Sequence, residues 1–194
     1  CAKNLILKSI APSMGLGTET TNGIPIPPLY YNDMVAVDDI PRLNKFFSDE
    51  MGLEIAQTMS VAREPELIER LLMVQEEKLS ARLVNSSRMA KEMLSEKDHI
   101  VLPLKYIESD FQVELTEADL KRSMNAWMGR VKNLIKECLD KSPEAPEILF
   151  ITGGMSLSPV VQKEIKAMLP DLPIVTADAF KSISEGLSIQ AQRR

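Results

Sequence analysis

Apolar residues recur at two different periods along this chain, and the switch between them lays out its elements. Leu5, Ile6 and Ile10 share one side of a helical turn, so Ala2 to Ile10 reads as the later part of a helix. Pro12 to Pro28 is dense in Gly, Thr and Pro, with Ile24-Pro25-Ile26-Pro27-Pro28 held extended, and reads as a linker that wraps over other structure. From Glu64-Pro65 the positions Ile68, Leu72, Leu79, Leu83, Ala90 and Leu94 step by four, seven and four, which predicts one long amphipathic helix. Its polar face carries Glu76, Glu77, Arg82, Arg88, Lys91 and Glu92, residues that a solvated face alone would explain.

The period then shortens. His99 to Ile107 and Phe111 to Leu115 read as strands of a hairpin turning through Glu108-Ser109-Asp110. Thr116-Glu117-Ala118-Asp119 opens a second long helix whose stripe is Leu120, Met124, Trp127, Val131, Leu134 and Cys138. On that stripe Trp127 is expected in the core and Cys138 as a buried, inert thiol. After a break at Lys141 to Pro146 come a strand at Ile148 to Thr152, a helix at Pro159 to Leu169, a strand at Ile174 to Thr176 and a last helix from about Phe180. This alternation predicts an α/β fold with a parallel or mixed sheet. The expected domains are a helix-plus-hairpin insertion at 32–115 and a base subdomain built from 1–31 and 116–194.

Within that tail, Ile148-Leu149-Phe150-Ile151-Thr152-Gly153-Gly154-Met155-Ser156-Leu157-Ser158-Pro159 is a short apolar strand running through two glycines into a helix start. The strand suits burial on both faces, and paired glycines let backbone approach a ligand with no Cβ between them. Ser158 is placed to cap the helix and Pro159 to begin it, so free N–H groups and the positive end of the helix dipole lie beside the glycines. Such a place suits a nucleotide; a plain turn between strand and helix is the other reading.

Composition narrows the classes. With 194 residues, 44% apolar and 26% charged, the chain is long enough for a sizeable core and is not of disordered type. The net charge is −5 and no stretch gathers Lys and Arg, so no nucleic-acid partner is expected. No run has the length of a membrane span and no leader pattern opens the chain, so no membrane partner is expected and the reading places it in the cytoplasm. Cys1 and Cys138 lack metal-ligand spacing, and no metal site is expected within this sequence. His99, the one histidine, reads as a surface or strand-edge residue. The 11 methionines are scattered as gap-fillers. Because the chain opens at Cys1 in what reads as a late helical turn, a piece of a longer protein is expected.

The string Leu149-Phe150-Ile151-Thr152-Gly153-Gly154-Met155-Ser156-Leu157-Ser158-Pro159-Val160-Val161, with Ser182-Ile183-Ser184-Glu185-Gly186-Leu187 near the end, resembles the second lobe of the DnaK-type heat-shock chaperone ATPases of the actin and hexokinase superfamily. Met14-Gly15-Leu16-Gly17-Thr18-Glu19-Thr20, Arg63-Glu64-Pro65-Glu66 and Ala90-Lys91-Glu92-Met93-Leu94-Ser95 bring the likeness closest to the YegD-like members of that family. The resemblance implies an actin-like ATPase second lobe, with ATP or ADP held in a cleft against a missing first lobe. Magnesium and slow hydrolysis would belong to the full-length parent. Neither an Asp-x-Gly-Thr nor an Asp-x-Gly-Gly-Gly-Thr loop occurs here, so this chain alone is not expected to hydrolyse ATP.

By the same resemblance, Gly153, Gly154 and Met155 match the turn whose backbone passes the ribose and α-phosphate, while Lys91 and Ser95 match residues that reach adenine and ribose across the cleft. Arg88 stands where the chaperones usually have Glu, Leu157 where they usually have Arg, and Glu92 at a variable position of the adenine-facing stretch. Phe180 holds the place of an acidic residue near the nucleotide, so that role is not carried over to the nearby Asp178. A protein client and a nucleotide-exchange partner are the implied partners; YegD-like proteins resemble the ATPase part without the peptide-binding domain. The alternatives are a non-hydrolysing interaction module of the same fold, which Arg88 and Leu157 motivate, and a relative of the sugar or acetate kinases.

Overall fold

The computed structural model of the chain describes residues 2–152 and 158–176. It is a mixed α/β structure, mostly helical, with two small sheets. Its compact units are Cys1–Met124 and Asn125–Arg194, so the division falls inside a long helix. The sequence reading divides the chain elsewhere, at 31/32 and 115/116.

In the first unit, α1 (Ala2–Leu5) continues as a π-helical turn (Ile6–Ile10) and a 3-10 turn (Ala11–Met14). Leu5, Ile6 and Ile10 are fully buried, as the apolar spacing predicts. Pro12 lacks an N–H, and the helix closes at Gly15, φ +93°, whose amide donates to the Pro12 carbonyl (3.2 Å) while Leu16 N donates to Ala11 (3.0 Å). The expected linker is pinned in place. Ile26 N donates to Thr18 O (3.0 Å) and Thr21 N to Val61 O (2.8 Å), and Ile26 is buried.

Three helices then precede Glu64: α2 (Pro28–Met34), α3 (Ile40–Phe46) and α4 (Asp49–Val61). Asp39 caps α3 by accepting from Arg42 N (3.2 Å), and Ser48 caps α4 by accepting from Met51 N (3.3 Å). Tyr31 of α2 is buried and donates its hydroxyl to Met14 O (2.8 Å), tying α2 to the N-terminal helix.

The single helix expected from Glu64 to Leu94 is two: α5 (Pro65–Glu76) and α6 (Ser80–Met93). Lys78 breaks it by adopting φ +55°, a left-handed stop that the sequence does not flag because glycine usually takes it. α5 packs against α4, where Gly52 lies under Gln75, whose Nε2 donates to Ser48 O (3.0 Å). α6 packs instead on α1 and on the first strand of the hairpin.

That hairpin is antiparallel, β1 (His99–Pro103) with β2 (Gln112–Thr116), in the register His99 to Thr116 and Pro103 to Gln112. Ile100, Leu102, Val113 and Leu115 face the core and their neighbours face water, the alternation that predicts it. The strands stop earlier than expected, because Leu104–Ile107 and Glu108–Phe111 each close a backbone turn. His99 is exposed at the strand edge.

The α7 helix (Glu117–Lys141) begins with the expected reciprocal cap: Asp119 N donates to Thr116 Oγ1 (3.3 Å), and Asp119 Oδ2 accepts from Thr116 N (2.9 Å) and Oγ1 (2.6 Å). Leu120, Met124 and Met128 are buried and Trp127 is half-buried.

In the second unit the rest of α7 is followed by β3 (Leu149–Ile151), α8 (Pro159–Met168) and β4 (Ile174–Thr176). β3 and β4 pair in parallel, Leu149 opposite Ile174 and Ile151 opposite Thr176, which is the strand–helix–strand unit predicted. Lys132 of α7 holds Glu164 of α8 at 2.6 Å. Two expectations need correction. Cys138 is exposed, because the apolar stripe of α7 is covered less completely beyond Met128, and Leu134 is 60% exposed. Phe150 is 66% exposed, so β3 is not buried on both faces; β4 is its one described neighbour.

Candidate functional site

The residues expected to meet a nucleotide fall into two sets, one on each unit. Arg88, Lys91 and Glu92 lie on the last turns of α6, and Ser95 follows its end. Their spacing of i, i+3, i+4 and i+7 puts all of them on one helical face. Lys91 and Ser95 are half-buried, and the Ser95 hydroxyl donates to the Lys91 carbonyl (3.1 Å), so the turn that carries them is closed by its own side chain. Lys91 sits in the last turn, where the negative end of the helix dipole favours a cation. Arg88 and Glu92 are exposed.

Several contacts hold this face in position. Leu83, Ala90 and Leu94 bury the opposite side of α6 and its end. The fully buried Ser87 hydroxyl donates to Ala2 O (3.0 Å), fixing α6 to the N-terminal helix immediately before Arg88. At the other end Arg82 stacks over the Tyr106 ring at 4.2 Å, and Tyr106 shares a hydrogen bond with Ser86 (3.0 Å). Burial raises the Tyr106 phenol above its ordinary pKa, although the Ser86 hydrogen bond and the Arg82 charge oppose the shift. A parallel clamp joins the hairpin loop to α5: Arg70 stacks on Phe111 at 4.4 Å and donates to Ser13 O (2.8 Å). Neither clamp is visible as a motif, since cation and ring stand far apart in sequence.

The second set is approached by β3 and left by α8. Gly153, Gly154 and Met155, with Leu157, lie outside the described residues, as does everything after Thr176, including Asp178, Phe180 and Gly186. The structure does describe the flanks. β3 ends at Ile151, α8 starts at Pro159, and β4 runs parallel to β3. The α8 N-terminus therefore follows the carboxyl end of a parallel strand, the end at which open α/β sheets bind their ligands. Ser158 occupies the cap position, yet its side chain makes no capping hydrogen bond.

Two grooves escaped the sequence reading. One of about 860 Å³ in the first unit is bordered by Lys3, Asn4, Leu29, Asn32, Ile40 and Arg42, with Lys3 paired to Asp38 and Arg42 to the buried Asp33 (Nε to Oδ1, 2.8 Å). The other, about 440 Å³ in the second unit, is walled by apolar side chains including Val131, Leu134, Leu149, Leu169 and Leu172, with Cys138 among them. Each assembles from positions distant in sequence, and the described candidate residues line neither. Among the described residues no cluster of His, Cys, Asp or Glu could hold a metal ion, and no helix is long and apolar enough to cross a membrane.

No protein-family model and no solved structure matches this chain.

Proposed function

We propose that the chain is the nucleotide-binding second lobe of a DnaK-type, YegD-like ATPase of actin-like fold, contributing the nucleoside side of a cleft whose other wall is a first lobe. The observation that carries the reading is the single face of α6 presenting Arg88, Lys91, Glu92 and Ser95 at i, i+3, i+4 and i+7. A second observation, on the other unit taken by itself, is the parallel β3–α8–β4 arrangement, with Gly153 and Gly154 standing in sequence between β3 and α8. In this reading Lys91 gives the base or ribose a charged donor, the Ser95 hydroxyl, its proton on the Lys91 carbonyl, offers an acceptor, and phosphate meets the free amides at the α8 N-terminus. Magnesium and the hydrolytic groups belong in this reading to the first lobe, so the chain binds nucleotide without turning it over.

The test is a titration of isotope-labelled chain with ADP and then ATP, following the amides of Lys91, Ser95, Gly153 and Gly154. Saturable shifts confined to these sites support the proposal. Unmoved amides at millimolar nucleotide overturn it, and an interaction module of the same fold then takes its place. Exposure of Phe150 and Leu134 on the second unit is the observation that favours that second reading.

A further inference from the structure

A third groove, of about 490 Å³, lies between α4 and α5 and holds a polar group that the fold leaves unused. Gln75 of α5 is only 5% exposed. Its Nε2 donates to Ser48 O (3.0 Å), which fixes the orientation of the amide, while among the described residues no donor reaches Oε1. That oxygen is nevertheless open to solvent. It lies over Gly52 of α4, where an added Cβ would stand 2.9 Å away, and both residues border the groove. A buried amide thus offers a fixed acceptor above a floor that has no side chain.

The charges around this acceptor have one sign in excess. Asp49 and Glu76 border the groove against the single cation Lys78, and all three are exposed. Asp49 stands in the first turn of α4, where the helix dipole favours a carboxylate. Glu76 has no such reason, since it ends α5, where the dipole opposes it, and no basic residue accompanies it in the last turn. A cation in the groove answers Glu76, the α5 terminus and Gln75 Oε1 together. Leu53, 65% exposed, and the half-buried Phe47 complete the lining. An aromatic ring beside carboxylates suits a planar guanidinium better than an ammonium.

We propose that this groove binds an arginine side chain of a partner peptide, the guanidinium donating to Gln75 Oε1 and Glu76 while a flanking apolar residue lies on Leu53. The volume falls within the range of about 300–1,000 Å³ that holds a ligand of several groups, which favours a peptide over a lone cation. The proposal is independent of the nucleotide reading.

The test is a titration of the isotope-labelled 194-residue chain with acetyl-leucyl-arginine amide, following the Gly52 amide and the Gln75 side-chain amide. Acetyl-leucyl-citrulline amide and agmatine are the comparisons. The arginyl peptide should shift both signals saturably and bind about two- to fivefold tighter than the uncharged citrulline peptide, the effect of an exposed ion pair. Glu76→Gln should remove most of that preference, and because Glu76 is exposed and opposes the α5 dipole, the variant keeps its fold. Unmoved signals at millimolar peptide overturn the site. Equal binding of the citrulline peptide, or a preference unchanged in Glu76→Gln, overturns recognition of the guanidinium, and agmatine binding as tightly as the arginyl peptide overturns the peptide as its source. Each of these outcomes leaves the nucleotide proposal standing, because its described residues lie on α6.

Discussion

Leu79 donates its backbone N–H to the carbonyl of Val74 at 3.0 Å, a bond spanning five residues that closes α5 and frees the chain to start α6. With Lys78 N donating to Gln75 O (3.3 Å), it completes a Schellman motif whose left-handed residue is a lysine at φ +55°. A left-handed L-residue costs roughly 1–2 kcal/mol, whereas glycine adopts the geometry freely but loses about 0.5–1 kcal/mol of backbone entropy on folding. Lys78→Gly should therefore stabilise the first unit by about 0.5–1 kcal/mol. Urea denaturation will check this through a higher midpoint at unchanged slope; a lower midpoint would show that the strain is relieved elsewhere.

Gly15 closes the N-terminal helix through the same motif, but with the residue the geometry prefers. A Cβ added there would lie 2.2 Å from Ile68 Cδ1 and 3.0 Å from the Tyr31 hydroxyl, in a backbone conformation already unfavourable to a side chain. Gly15→Ala should thus destabilise the chain by about 2–3 kcal/mol, combining overpacking with left-handed strain. Thermal melting of the variant against wild type measures it. A cost under about 0.5 kcal/mol would mean that Ile68 repacks freely.

These two turns show which features of the fold were legible. The apolar spacing ends the N-terminal helix at Ile10, before the 3-10 turn that carries it to Met14 and Gly15, whereas the Thr116 to Asp119 cap and the alternating hairpin are open to reading, because local chemistry fixes each of them. At Lys78 nothing in the local chemistry marks a stop. The apolar spacing continues across the break, and α5 and α6 part because they pack on different partners, α5 on α4 and α6 on α1 and β1. Cys138 misled for a related reason: a stripe specifies that a face is apolar, but not how completely that face is covered. In the candidate site, the clustering of Arg88, Lys91, Glu92 and Ser95 follows from helical spacing alone. Their support by Ser87 and by the Arg82–Tyr106 stack requires contacts between distant parts of the chain.

Acid should loosen the junction at the start of α7. Burial alone would raise the pKa of Asp119, but hydrogen bonds from Thr116, Arg122 and Ser9 outweigh it and hold the carboxyl below its ordinary value. The depressed folded pKa means that this stabilisation is present above the unfolded aspartate value of about 3.9 and is lost as pH falls through the folded one. Asp119→Ala should cost about 1 kcal/mol at pH 7, the usual worth of a cap, and less at pH 2. Denaturation curves of both proteins at the two pH values test this; an equal difference at each would remove the carboxylate charge from the account.

Lys91 offers the most direct test of the candidate face. Its backbone carbonyl receives the Ser95 hydroxyl whatever its side chain, so truncation leaves the end of α6 closed. Alanine also has the higher helix propensity, which limits the structural cost. If Lys91 donates to bound nucleotide, Lys91→Ala removes a charged hydrogen bond worth about 1.5–3 kcal/mol, a loss of roughly ten- to a hundredfold in affinity. The melting temperature of the unliganded chain, measured alongside, reports what the Lys91 side chain contributes to the fold. Lys97 lies beyond the last turn of α6 and is exposed, so Lys97→Ala controls for the general loss of a positive charge. Equal weakening by the two variants would reduce Lys91 to a diffuse electrostatic contribution, whereas selective loss at Lys91 would place the nucleotide against this face of α6.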